Sequence, residues 1–120
     1  MLLTLALLAA LQGASGTDSI AGTWQITGDV VGNAVKTTCV IKQSGIALSG
    51  NCTNAAKVSS ALTGEVKNGK VTFQYDIDYE GQPLTVVYSA ALARELKGTI
   101  DVKPVGATGT FTAVSAAANP

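Results

Sequence analysis

The chain has 120 residues, with eight Lys and Arg balanced by eight Asp and Glu, two Cys and no His. That length suits a single domain. A neutral balance gives no clustered basic face for a nucleic-acid backbone, and the missing His excludes a Ser-His-Asp or Cys-His site and any His-ligated metal.

The N-terminal stretch MLLTLALLAALQGASGT carries no charged side chain. Its run of about ten apolar residues has the length of a signal-peptide h-region and is too short to span a bilayer. Ala14, Ser15 and Gly16 follow as a small-residue cleavage site, although the basic start usual in such leaders is missing. The reading is a signal peptide over residues 1–16, a domain over 17–115 and a disordered tail over 116–120. A secreted or periplasmic location is expected, where disulfides persist.

Past the leader the apolar residues recur with period two, the signature of half-buried strands, and no long helical stripe competes. In IAGTWQITGDV, Gly22, Trp24, Ile26 and Gly28 share a face. In AVKTTCVIK, Val35, Thr37, Cys39 and Ile41 oppose Lys36 and Lys42. TCVIKQSGIALSGNC then holds both cysteines. With no His and no second Cys pair a zinc site is not supported, and the spacing is not Cys-x-x-Cys. Cys39 and Cys52 both point inward, so they read as a disulfide across a hairpin, stabilising by roughly 3 kcal/mol in the chain-entropy model. A two-residue turn at Ser44-Gly45 would set them on the diagonal; a loop from Ser44 to Ala47 would set them directly opposite. Asn51-Cys52-Thr53 also matches an N-glycosylation sequon, a common chance match.

Asn68-Gly69 marks the clearest hairpin, because a type I′ turn needs positive φ at both central residues. Pairing Lys67 with Lys70 sets Val66 on Val71, Gly64 on Phe73, Leu62 on Tyr75, Ser60 on Ile77 and Val58 on Tyr79. A loop at Glu80-Gly81-Gln82-Pro83 then pairs Tyr79 with Leu84, Ile77 with Val86 and Tyr75 with Tyr88. Leu92 pairs with Leu96, which sets Ala90 on Gly98 and Tyr88 on Ile100. After a turn near Lys103-Pro104, Gly109, Phe111 and Ala113 face inward. Eight strands sharing one apolar face predict an all-β, eight-stranded antiparallel up-and-down barrel with one disulfide, since closure removes both edges. A two-layer β-sandwich is the alternative. The polar outer face speaks against membrane insertion of the domain, because a membrane barrel turns its apolar residues outward. Glycines within strands read as room for a neighbouring strand or aromatic ring, with an internal cavity as the competing reading.

Two groups of side chains merit a functional reading. Trp24, Phe73, Tyr75, Tyr79, Tyr88 and Phe111 point inward, as core or as the lining of a ligand pocket; eight strands enclose just enough room for packed side chains or one small ligand. Asp76, Asp78 and Glu80 alternate along one strand and are a weak Ca²⁺ candidate, set against a plain solvated face. They also look too exposed for a glycosidase pair.

The segment IAGTWQI resembles the Gly-x-Trp first strand of lipocalin-like and avidin-like (calycin-type) barrels. CVIKQSGIALSGNC, LTGEVKNGKVTFQY, VYSAALARELKGTID and ATGTFTA resemble small exported bacterial β-barrel domains of undetermined function. The resemblance implies a barrel over nearly the whole domain. Biotin binding does not carry over, because the avidin-type pocket uses several tryptophans and this chain has one. The lipocalin Arg near the last strand is absent, and Ala93-Arg94-Glu95 replaces a turn usually rich in Gly and Asp. Bacterial metalloprotease inhibitors share the exported barrel, single disulfide and Gly-x-Trp start. The expected function is a non-enzymatic binding or accessory module without a cofactor, holding a small apolar ligand. The alternative is a protein–protein module such as a protease inhibitor or envelope component. No nucleic-acid partner is expected.

Overall fold

The computed structural model describes residues 19–115. The leader read at 1–16, the domain start at Thr17 and Asp18, and the tail at 116–120 lie outside the described residues. Eight strands follow in order: β1 (Gly22–Val30), β2 (Asn33–Ser44), β3 (Ala47–Asn54), β4 (Ser59–Lys67), β5 (Lys70–Tyr79), β6 (Gln82–Ala91), β7 (Leu96–Lys103) and β8 (Ala107–Ser115). Each pairs antiparallel with its neighbour in sequence, and β1 pairs with β8 to close the barrel. The sandwich alternative is thereby set aside.

The period-two pattern decides which side chains turn inward. Trp24, Ile26, Cys39, Ile41, Leu62, Phe73, Tyr88, Ile100 and Phe111 are all buried. A fully buried side chain of this size contributes about 1.5–3 kcal/mol of hydrophobic stabilisation. Outward positions on β5 carry Lys70, Thr72, Gln74, Asp76 and Asp78. Strands can come close where the chain has no Cβ. A Cβ on Gly64 would lie 2.2 Å from the Thr72 carbonyl oxygen and 2.7 Å from Phe73 Cα, so this glycine makes room for the next strand.

Turn chemistry sets the registers. Asn68 and Gly69 adopt φ of 54° and 74°, as a type I′ turn requires, and Lys67 pairs with Lys70. Glu80 and Gly81 do the same, with φ of 53° and 83°. The loop predicted from Glu80 to Pro83 is therefore a two-residue turn. Tyr79 pairs with Gln82 and not Leu84, Ile77 with Leu84, Tyr75 with Val86, and Phe73 with Tyr88. The shift is two residues, so every side chain keeps its face and only its partner changes. On the far side of β6 the predicted pairs of Ala90 with Gly98 and Tyr88 with Ile100 are present.

The β2–β3 turn is Gly45-Ile46, with Ser44 opposite Ala47. This register places Cys39 directly opposite Cys52, with a Cα–Cα distance of 4.0 Å and an S–S bond of 2.03 Å. The diagonal arrangement is excluded.

The β4–β5 ladder runs from Lys67↔Lys70 only as far as Leu62↔Tyr75. The predicted pairs of Ser60 with Ile77 and Val58 with Tyr79 do not form. The start of β4 is held by β3 through Thr53↔Ser59, and the end of β5 by β6 through Tyr79↔Gln82, so the two strands part. Val58 and Tyr79 are 57% and 58% exposed.

The two ends of the barrel differ. At the end that carries the β2–β3, β4–β5 and β6–β7 connections, Trp24, Leu48, Val71 and Leu96 are buried. Trp24 Nε1 donates to the Ile20 carbonyl oxygen at 2.8 Å, and Ile20 N donates to Gln43 Oε1 at 2.9 Å. The segment before β1 thus folds under the barrel as a plug, with Ile20 itself buried.

Candidate functional site

At the opposite end, inside the β1–β2, β3–β4, β5–β6 and β7–β8 connections, a cavity of about 760 Å³ opens to the outside. Its size lies within the range of small-molecule sites. Val35, Ile77, Leu84, Val86 and Val102 form apolar walls, and Tyr75, Tyr88 and Cys52 reach it from the middle of the barrel. The cavity exists because inward positions near this end hold small or medium side chains, among them Val30, Val35, Ser60 and Ala107, which do not meet across the interior. Thr37 is buried on the inner face, and its Oγ1 donates to the Thr53 carbonyl oxygen at 2.9 Å.

The mouth is apolar. Val31 in the β1–β2 turn, Val58 before β4, Tyr79 at the end of β5 and Val105 in the β7–β8 turn are each more than half exposed. Three of them, Val58, Tyr79 and Val105, line the cavity directly, and Lys36 contributes a charge at its edge.

Below the cavity the aromatic side chains pack against each other. Phe73 and Tyr88 stack with ring centroids 4.8 Å apart and planes at 12°. Phe111 meets Tyr88 edge-on at 5.0 Å and Phe73 at 6.4 Å. Contacts of this geometry add about 0.5–1.5 kcal/mol beyond the area they bury. Tyr75 and Tyr88 lie diagonally across β5 and β6, and their hydroxyls meet at 2.5 Å. Burial pushes both phenols above the ordinary tyrosine range; for Tyr88 the neighbouring Tyr75 adds to the rise. Both therefore stay neutral through the physiological range.

The six aromatic residues named from the sequence thus sort into three settings. Trp24, Phe73 and Phe111 belong to the packed half and do not line the cavity. Tyr75 and Tyr88 stand at the boundary between core and cavity. Tyr79 has the inward parity but lies past the last rung of the β4–β5 ladder, so its ring is at the mouth and not buried as predicted.

Asp76, Asp78 and Glu80 all lie exposed outside the barrel. Asp76 Oδ1 accepts a hydrogen bond from Thr85 Oγ1 at 2.8 Å, and Glu80 has left the strand for the turn. Among the described residues no group of three His, Cys, Asp or Glu is placed to hold a metal. Asn51 of the sequon is exposed on the outer face of β3.

Parity along the strands assigns Val35, Thr37, Ile77 and Val86 to the inner face but does not mark them as cavity walls. The available signal was the bulk of inward residues rung by rung: Trp24, Phe73, Phe111 and Leu48 fall in one half, and valines, alanine and serine in the other. Compared with known proteins, the chain matches no family model, no curated protein and no solved structure.

Proposed function

We propose that the protein is an exported, non-enzymatic binding module of the lipocalin-like or avidin-like kind, holding one small, mainly apolar ligand in the open half of the barrel. The cavity of about 760 Å³ with its apolar walls carries this reading. Export is supported by the Cys39–Cys52 bond, since disulfides persist outside the reducing cytosol. Polar outward faces such as that of β5 support a barrel that works in water.

The test is titration of the full chain with Nile red, a neutral dye that brightens in apolar surroundings. A saturable, one-to-one rise in emission is expected, abolished by Val35→Trp, which fills the cavity from its wall. No saturable binding to the wild type, or unchanged binding by a folded Val35→Trp variant, would sink the proposal.

The exposed apolar side chains at the four mouth connections favour a second reading, a protein-binding rim. Under that reading Val31→Ser, at the one of these four rim residues that does not line the cavity, weakens capture of a partner from the native extracellular or periplasmic fluid and leaves dye binding intact. Absence of any captured partner counts against it.

A further inference from the structure

The Tyr75–Tyr88 pair holds one hydrogen atom that the protein does not use. Two phenols carry two hydroxyl hydrogens, and the 2.5 Å contact between them consumes one. Tyr88 is 0% exposed and Tyr75 9%. If Tyr75 were the donor, the Tyr88 hydrogen would be buried without an acceptor, which carries the full desolvation penalty of an unmade bond. Tyr88 therefore donates to Tyr75. The Tyr75 hydroxyl then keeps a hydrogen with no acceptor among the described residues, on a side chain that lines the cavity. Accepting a bond from Tyr88 also polarises the Tyr75 O–H and makes it a stronger donor.

The surroundings define what this donor can take. The inward lining on the strands around the pair includes Cys52, Ser60, Ile77 and Val86, none of them charged, and the Thr37 hydroxyl is already committed to Thr53. The one lining cation, Lys36, is exposed at the edge of the cavity. A carboxylate brought to the tyrosines would be buried without a counter-charge, which is strongly unfavourable. A neutral oxygen, such as a ketone, aldehyde or ester carbonyl, meets no such penalty.

We propose that the cavity selects a neutral, largely apolar ligand that enters oxygen first and accepts a hydrogen bond from Tyr75 Oη, with Tyr88 as the positioning residue behind it. This rests on the reading of the cavity as a ligand site and adds the ligand's polarity and orientation to it.

The experiment compares benzophenone with diphenylmethane, the same skeleton without the oxygen, and with diphenylacetate, which adds a charge. Each displaces Nile red from the full chain. Tyr75→Phe is expected to weaken benzophenone about tenfold, the scale of one lost hydrogen bond, and to leave diphenylmethane within about twofold. Tyr88→Phe should weaken benzophenone by only about two- to threefold, since Tyr75 still donates. The carbonyl stretch of benzophenone bound to the wild type should fall to lower frequency than in alkane, and return in Tyr75→Phe. The wild-type spectrum stands alone if a variant does not fold: an unshifted stretch overturns the proposal. So does an equal loss of both neutral compounds in Tyr75→Phe, or tighter binding of diphenylacetate than of benzophenone. Failure of all three compounds and of the dye to bind the wild type would bring down the cavity reading itself.

Discussion

In the half of the barrel that Ile20 plugs, Trp24, Leu48, Val71 and Leu96 fill the interior. In the other half Val35, Ile77, Leu84 and Val102 line walls that do not meet. Strand number and pairing are common to both halves, so closure of the sheet alone does not decide whether a barrel is solid or hollow. Side-chain bulk at inward positions does. Polarity follows the same division. The aromatic rings without a hydroxyl lie in the solid half, the indole N–H of Trp24 is satisfied by a backbone carbonyl, and the two buried phenols stand where the packing ends.

Truncations should separate the halves. Phe73→Ala removes a ring stacked on Tyr88 and packed against Phe111, and should cost about 3–5 kcal/mol, the range for a buried aromatic, read as a fall in the urea midpoint. A loss under about 1 kcal/mol would mean that the solid half is not packed as described. At high pH the boundary between the halves should show itself. Below the ordinary tyrosine pKa of 10.0 folded and unfolded chains both keep these protons, and Tyr75 and Tyr88 add no slope. Above it the unfolded chain releases protons that the folded one retains, so stability falls, chiefly through Tyr88, at up to about 1.4 kcal/mol per pH unit for that group. Unfolding curves collected between neutral pH and strong alkali test this, and Tyr88→Phe should reduce the slope by about one such increment. Ile77→Ala, on the cavity wall and only partly buried, should cost about 1 kcal/mol or less, below the range for a fully buried isoleucine; a loss as large as that of Phe73→Ala would erase the distinction. Tyr79→Ser at the mouth should change stability by less than about 0.5 kcal/mol and still weaken Nile red binding severalfold by stripping a ring from the rim. Unaltered dye affinity would show that the rim takes no part.

Much of this molecule was legible beforehand, and the reason is the exact two-residue repeat of a strand. Inward and outward faces follow from parity, so Trp24, Cys39, Cys52, Phe73 and Phe111 were placed correctly even where partners were not. Partners depend on turns. Asn68-Gly69 announces its geometry because both residues tolerate positive φ. Glu80-Gly81 does not announce it, because Glu is an unusual first residue for the same turn, and the β5–β6 register predicted from the sequence lies two residues from the observed one. The predicted register does not show the stacking of Phe73 on Tyr88 or the diagonal meeting of the two hydroxyls, both of which need the two-residue turn. Tyr79 departs from its predicted place for another reason: parity says which way a side chain points but not where the wall stops, and β4 and β5 part after Leu62↔Tyr75. The cavity is a difference of volumes among many positions, and no short motif carries it.

The seam between β1 and β8 has a consequence for how the chain reaches this state. Every other ladder joins neighbours along the sequence and can form within microseconds as a hairpin. The seam pairs Trp24 with Ser115 and Val30 with Gly109, and the closure entropy of that long loop is repaid only once the intervening strands are in place. Folding should then run as an open sheet that curls shut, with amides of β1 and β8 gaining protection last in pulsed hydrogen exchange. Until the seam forms, the curling sheet offers two unpaired edges to other copies, so refolding yield should fall as protein concentration rises.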